Sequence, residues 1–328
     1  MAACVSVAAA CRAAPTAQEP AASPARAPRS ALLNGAVGVR LHYLDFGGDG
    51  PPVVLLAGAG DTAWIYLELG AELARDHRVI ALTRRGFGDS DVPATGYDLA
   101  TLSADLLAAL DALDLPRVAL IGHSLAGSEL TYVAAHHPSR VAALVYLDAA
   151  YDRSTQDAAM AGAPDVFVPP TIEDRRSVAA MIAYLRRSRR DLARYWTPAT
   201  QRDAVAKIVM LSDGTAGFRP SPAYSAWSTS AAASPPEYER IAGPVLAIYA
   251  HEDATYQVPP GSSPDVFAQA RAWQAGPETA WRNASIAQLR SACPSATIVE
   301  MIAGHHMFLH RAAETTAQIR AFLARVPW

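Results

Sequence analysis

Short, wholly apolar runs recur along the chain, and each has the length of a buried strand. They lie at Val53–Leu56, Val79–Leu82, Val118–Ile121 and Val141–Leu147. Runs without polar alternation are typical of strands that are covered on both faces, as in a parallel sheet. The pattern therefore predicts four central strands of one parallel sheet.

Segments with helical spacing separate these strands. Apolar residues recur at helical intervals over Leu99–Leu113, just before Pro116, and over Leu125–His137, which Pro138 ends. Strands that alternate with helices through short loops indicate an α/β fold. We predict a doubly wound, mostly parallel sheet.

The alternation is interrupted after the fourth of these strands. Residues 151–238 contain helical stretches and Pro-rich joints, and the strand pattern resumes at Pro244–Tyr249 and Ala296–Met301. We therefore predict one domain at residues 31–328, with a mostly helical cap at about 151–238. The cap is inserted between the strands Val141–Leu147 and Pro244–Tyr249, which we expect to be strands 6 and 7 of the complete sheet.

Residues 1–30 differ from the rest of the chain. Met1–Cys11 is rich in Ala and Val, and the following segment is rich in Pro, Ala and Arg, which favours an extended chain. The apolar run followed by small residues resembles the end of an export signal, with a lipid-anchor site at Cys11, but no Lys or Arg precedes it. We expect either an exported protein (periplasmic, secreted or lipid-anchored) or a cytoplasmic one with a disordered tail.

Composition excludes several classes of protein. Apolar residues make up 51% of the chain, charged residues 18%, and the formal net charge is −3. This balance fits a packed core and gives no electrostatic attraction to nucleic acid. No apolar run beyond the first dozen residues could span a bilayer. The three cysteines and nine histidines show no ligand spacing, so we predict no metal and no cofactor.

The strand Val118–Ile121 runs directly into a turn that carries Ser124. On a sharp strand-to-helix turn, the chain crowds together on both sides of such a serine. Small residues are then needed two positions before it and two or three after it, and here they are Gly122, Ala126 and Gly127. This nucleophile-elbow pattern places a hydroxyl above the sheet at a helix N-terminus. It predicts Ser124 as a nucleophile.

Three segments together resemble the α/β-hydrolase superfamily. They are Gly122–Gly127, Arg85–Ser90 and Ala303–His305, and the resemblance extends over about residues 39–326. It implies a triad of Ser, acid and His in that chain order, with the acid and the His on loops after late strands.

This resemblance implies which residues complete the triad. Asp253, on the loop after the strand Pro244–Tyr249, is the expected acid, and His305 is the expected base. Asp148 is the alternative acid, because some family members carry the acid after the sixth strand. His306 is the alternative base.

An acyl-transfer site also needs two backbone N–H groups for the oxyanion. One is expected from Leu125, the residue after the nucleophile, and the other from the loop after Val53–Leu56. That loop reads Ala57-Gly58-Ala59-Gly60, where many relatives carry His-Gly, and Ala59 is the expected donor.

These residues predict a cofactor-independent serine hydrolase, most simply a carboxylesterase for a small to medium apolar ester. Trp196 and Trp227, in the predicted cap, are candidates for the pocket wall. Hydrolysis of a C–C bond, lactone or amide, and acyl transfer, remain open alternatives. A catalytically silent protein of the same fold that binds an apolar ligand is an alternative of another class.

Overall fold

The computed structural model describes most of the chain, namely residues 27–164, 167–188, 195–251, 253, 258 and 261–328. The predicted export signal and Cys11 lie outside the described residues.

In the described residues, an eight-stranded sheet forms the centre of the protein, in the order β1-β2-β4-β3-β5-β6-β9-β10. Only the pairings β1–β2 and β2–β4 are antiparallel. The other pairings within this sheet are parallel, so the predicted α/β fold class is confirmed. Its strands are β1 (Arg29–Asn34), β2 (Arg40–Gly47), β3 (Pro52–Leu56), β4 (Arg78–Leu82), β5 (Val118–His123), β6 (Val141–Leu147), β9 (Val245–Ala250) and β10 (Thr297–Met301).

Helices cover both faces of the sheet, which explains the apolar runs. Every residue of β5 and β6 is buried. One core packs α1 and α11 against one face, and the other packs α2, α3 and α9 against the opposite face. The helices outside the insertion described below are α1 (Leu67–Leu73), α2 (Leu99–Ala112), α3 (Ala126–His136), α8 (Pro264–Trp273), α9 (Thr279–Ala292), α10 (Met307–His310) and α11 (Ala312–Leu323). No helix of the described residues combines the length and the apolarity that crossing a membrane requires.

The first strand begins earlier than the sequence indicates. We predicted a tail up to residue 30, whereas β1 begins at Arg29 and pairs with β2 along its full length. It lies at the edge of the sheet and has no fully buried residue. An edge strand of this kind lacks the apolar run that marks the central strands.

An insertion at residues 148–244 separates β6 from β9, the sixth and seventh strands of the main sheet. This is where the sequence predicts the cap. It is not purely helical, because β7 and β8 pair as an antiparallel hairpin. Strands of three residues are too short to leave a recognisable pattern in the sequence. The elements of the insertion are α4 (Gln156–Met160), α5 (Val178–Ser188), α6 (Pro198–Lys207), β7 (Ile208–Met210), β8 (Ala216–Phe218) and α7 (Ala223–Ala232).

Candidate active site

Ser124 lies between β5 and α3 in a backbone conformation that non-glycine residues rarely adopt. Its φ is +55°, and its N–H donates to the carbonyl oxygen of Leu147 at 3.2 Å. A left-handed residue of this kind costs on the order of 1–3 kcal/mol and persists only where the surroundings impose it. The turn holds the partly exposed Ser124 at the carboxyl edge of the sheet.

The small residues around Ser124 are required by close packing. A Cβ on Gly127 would lie 1.9 Å from the backbone oxygen of Ala149, and one on Gly122 would lie 2.8 Å from the side chain of Leu130. Gly122 also faces Ala126, whose Cβ would be 3.1 Å away. The turn therefore has no room for larger side chains at the positions that the sequence singles out.

The structure pairs His305 with the alternative acid. His305 Nδ1 lies 2.6 Å from Oδ2 of Asp148, which follows β6. Asp253, the acid that the resemblance favours, is exposed. The preference for Asp253 therefore needs correction. In the sheet order β6-β9-β10, the Asp148 side chain reaches across the end of β9 to His305, and its Oδ1 accepts a hydrogen bond from Ala250 N at 3.1 Å.

The surroundings of Asp148 favour its ionised form. Burial alone would raise the pKa of this carboxyl group, but hydrogen bonds from His305, Tyr151 and Ala250 N outweigh it, and the pKa lies below its ordinary value. Tyr151 Oη donates to Oδ1 at 2.6 Å. Like Ser124, Asp148 has a positive φ, +48°. The structure thus supports a carboxylate that stays charged at neutral pH.

His123 brings the serine turn and the His305 loop together. Its Nε2 lies 3.0 Å from the backbone oxygen of His305, and the two rings are 4.4 Å apart between centroids. Burial, reinforced by His305 and His306, lowers the pKa of His123 well below its ordinary value. A neutral His123 therefore lies directly before Ser124 and adds no charge there.

The two backbone N–H groups expected to bind an oxyanion belong to segments next to the serine turn. Gly58, on the loop after β3, is so close to the serine turn that a Cβ there would be 3.0 Å from Ser124 Cβ. Ala59 follows Gly58 on this loop, and Leu125 precedes α3. Within the described chain, neither the Ala59 N–H nor the Leu125 N–H is donated to a protein acceptor.

His306, the alternative base, points to a different carboxylate. Its Nε2 lies 3.0 Å from Oδ2 of Asp61, and both side chains are buried. Asp61, His123 and His306 each offer one donor atom within 4.8 Å of the others, so these are the residues that could hold a metal ion. Lys207 Nζ lies 3.0 Å from Oδ1 of Asp61 and already supplies a positive charge at this carboxylate. The arrangement is that of an ion-pair network, and the absence of a metal site stays a prediction.

A cavity of about 380 Å³ opens between the loops after β3 and β4 and the insertion. Ala59 and Gly60 are among its lining residues, so the cavity reaches the expected oxyanion donor. Trp196 lines it as well. Trp227 lies outside this lining: it is 1% exposed and packs on Arg84, whose guanidinium carbon is 4.4 Å from its ring centroid.

The sequence of this chain matches the profile of a known protein family. The profile described as the α/β-hydrolase fold matches residues 51–312. The chain belongs to the α/β-hydrolase fold family. The resemblance carried by Gly122–Gly127, Arg85–Ser90 and Ala303–His305 is therefore confirmed. The assignment supports an enzyme of the hydrolase class.

Individual proteins match this chain over shorter stretches or at lower identity. A non-heme chloroperoxidase of Streptomyces lividans is 42% identical over 120 residues, which is 34% of this chain and 42% of that protein. A soluble epoxide hydrolase of Corynebacterium sp. is 36% identical over 118 residues, 36% of this chain and 40% of that protein. The chain thus spans less than half of the length of these curated relatives. The crystal structure of E-2-(acetamidomethylene)succinate hydrolase superposes with a TM-score of 0.66 at 21% identity, covering 90% of this chain and 99% of that one, and shows the shared fold.

Sequence reasoning missed the buried ion pair that supports the loop after β3 of this α/β hydrolase. Arg84 donates to the carboxylate of Glu129 and to the backbone oxygen of Ala57. Its side chain therefore connects α3 to the loop that carries Ala59. One signal was available, because Glu129 occupies a buried position within the apolar pattern of α3.

Proposed function

We propose that this chain is a serine hydrolase that cleaves small to medium apolar carboxylic esters. The hydrogen bond of 2.6 Å between His305 Nδ1 and the buried Asp148, beside the strained turn of Ser124, carries the proposal. A base oriented by a buried carboxylate, next to a serine on such a turn, is the arrangement that activates a hydroxyl.

The reaction proceeds through an acyl-enzyme. His305 Nε2 accepts the proton of the Ser124 hydroxyl while Oγ attacks the ester carbonyl carbon, and Asp148 stabilises the resulting imidazolium. The N–H groups of Ala59 and Leu125 hold the oxyanion of the tetrahedral intermediate. The intermediate collapses, the C–O bond breaks, and His305 gives its proton to the leaving alcohol. Water then attacks the acyl-enzyme by the same route and releases the acid.

The lining of the cavity supports a substrate with an apolar acyl or alcohol group. Phe87, Leu185, Trp196 and Phe218 supply much of its wall, together with Ala59. Ligand pockets of this volume range are mostly apolar with few polar groups. Three of these residues belong to the insertion, which we propose acts as a cap that selects the substrate.

Labelling and turnover test the proposal together. The wild-type protein should react covalently with a fluorophosphonate probe at Ser124 and hydrolyse p-nitrophenyl esters, with a preference that follows acyl length. Peptide mapping of the labelled protein identifies the modified residue. Binding of an apolar ester without labelling or turnover would contradict the proposal and favour the catalytically silent alternative.

Trp196→Ala should change substrate preference rather than general reactivity. Removal of one aromatic wall is expected to cost on the order of 1–3 kcal/mol of contact with a large acyl group. This corresponds to a loss of about 5- to 150-fold in kcat/KM for p-nitrophenyl octanoate, because about 1.4 kcal/mol is tenfold. The acetate ester has a much smaller acyl group to contact this wall and should be cleaved at nearly the wild-type rate.

Trp227→Ala is the matched control for this prediction. Trp227 is buried against Arg84 and does not line the cavity. Its removal should lower the free energy of unfolding by about 3–5 kcal/mol and affect both esters equally. A selective loss of octanoate hydrolysis in Trp227→Ala, with no such loss in Trp196→Ala, would show that the pocket wall is misassigned.

A further inference from the structure

Several buried polar and charged groups lie close to His123, the residue before Ser124, through His306, whose ring centroid is 4.6 Å from that of His123. His306 Nε2 lies 3.0 Å from Asp61 Oδ2, and Lys207 Nζ lies 3.0 Å from Asp61 Oδ1. Lys207 also pairs with Asp203, one helical turn before it on α6. Asp203 in turn accepts hydrogen bonds from Thr62 N at 2.7 Å and Thr62 Oγ1 at 2.8 Å. We call these five residues the buried ionic cluster.

The cluster joins three segments that the proposed reaction uses. Asp61 and Thr62 continue the loop of Ala59, and the Asp61 N–H donates to Gly58 O at 3.2 Å. His306 directly follows His305, the proposed base. The remaining two members lie on α6 of the insertion, whose Thr200, Asp203 and Lys207 line the cavity.

Burial makes these contacts costly to break. The side chains of Asp61, His306 and Lys207 are 5%, 6% and 12% exposed. Removal of one partner from a buried charge pair leaves the other charge without compensation in a poorly polarisable environment. The loop of Ala59 and the loop of His305 are therefore held in fixed relation, and neither can shift without separating Asp61 from His306.

We propose that Asp61 and His306 are positioning residues that align the oxyanion donor Ala59 with the base His305. The inference rests on the proposed function, since it concerns the alignment of the same reaction. Neither residue needs to touch the substrate. Their hydrogen bond fixes the distance between the two loops, while Lys207 holds Asp61 and couples both loops to the cavity wall.

The test compares His306→Leu with His306→Gln. Leucine fills the space and removes the donor to Asp61, whereas the Gln amide can still donate to it. Both are assayed with p-nitrophenyl butyrate, and kcat is expressed per active site titrated with a fluorophosphonate. His306→Leu should lower kcat by about 10²-fold, the effect of an ångström-scale misplacement, with KM close to wild type. His306→Gln should recover most of this loss.

A transition-state analogue separates positioning from mere stability. Phenylboronic acid forms a tetrahedral adduct with an active serine, and its inhibition constant should weaken in His306→Leu by the same factor as kcat/KM. Partial unfolding would instead reduce the number of titratable sites and leave kcat per site and the inhibition constant unchanged. That result would overturn the proposal.

Further variants complete the design. His136→Leu removes a histidine–carboxylate pair of 2.8 Å at the surface, with Glu237, and should leave all constants at wild-type values. If His306→Leu does not fold, Asp61→Leu serves in its place, because it removes the acceptor of His306 Nε2 and the partner of Lys207; wild-type kcat per site in that variant would overturn the proposal. Equal impairment of His306→Gln and His306→Leu would also overturn it.

The wild-type protein distinguishes failure of the positioning role from failure of the proposed function. If the wild type neither labels nor hydrolyses esters, the proposed function is overturned as well. If the wild type is active and His306→Leu is unimpaired, only the positioning role is overturned.

Discussion

Ser124→Ala is expected to lower ester turnover by about 10⁶-fold, close to the rate without a nucleophile. The backbone turn is set by the packing of Gly122 and Gly127, so the loss of one hydroxyl group should leave the fold unchanged. The residual rate comes from binding and from the oxyanion donors, which the substitution does not touch. Stopped assays at high enzyme concentration, together with circular dichroism and thermal unfolding, measure both effects.

Ser128→Ala is the matched control for the nucleophile. Ser128 lies on the first turn of α3 and is also partly exposed, but it is one helical turn away from the elbow. It should retain wild-type turnover and fluorophosphonate labelling. Substantial esterase activity in carefully purified Ser124→Ala would refute the mechanism, whatever the behaviour of Ser128→Ala.

Asp148→Asn should reduce kcat by about 10⁴-fold with little change in folding. The amide group would donate to His305 Nδ1 and hold the proton of the imidazole on Nε2, the nitrogen that must accept the proton of Ser124. The substitution also removes the negative charge that stabilises the imidazolium. Steady-state kinetics with p-nitrophenyl butyrate measure the loss, and an unfolding curve checks that the variant is native.

Asp253→Asn is the control that distinguishes the two acids. Asp253 is exposed, so its substitution should change kcat only slightly. The opposite ranking, with Asp253→Asn severely impaired and Asp148→Asn nearly normal, would show that the acid comes from the loop after β9. The comparison of the two variants thus tests whether the acid is Asp148, as the structure favours, or Asp253, as the sequence analysis expects.

The strand-to-helix turn of Ser124 is recognisable in the sequence because its signal is local. Ser124 follows a buried strand directly, and the small residues Gly122, Ala126 and Gly127 all lie within three positions of it along the chain. The central strands are equally recognisable, since burial on both faces leaves uninterrupted apolar runs. The edge strand β1 and the hairpin of β7 and β8 carry no such pattern, and they were found only in the structure.

The choice of acid depends on contacts between distant segments. Asp148 and Asp253 both follow parallel strands at the same edge of the sheet, so the order of residues cannot separate them. Two features of the structure favour Asp148: its positive φ, and the hydrogen bonds from Tyr151 and Ala250 N that hold its carboxylate over β9. Asp61 and Lys207 are likewise 146 residues apart in the chain, and no pattern in the sequence connects them.

The anchoring of α6 restricts how this enzyme could be recombined with others of its family. Exchange of the insertion for a foreign one would remove Asp203 and Lys207, and would leave Thr62 without Asp203 and Asp61 without Lys207. A chimera built at the ends of β6 and β9 therefore needs these two residues grafted at matching positions, because Asp61 must stay in place to hold His306. Without them, domain shuffling should yield poorly folded hybrids, and new specificities are more accessible through point changes on the cavity wall.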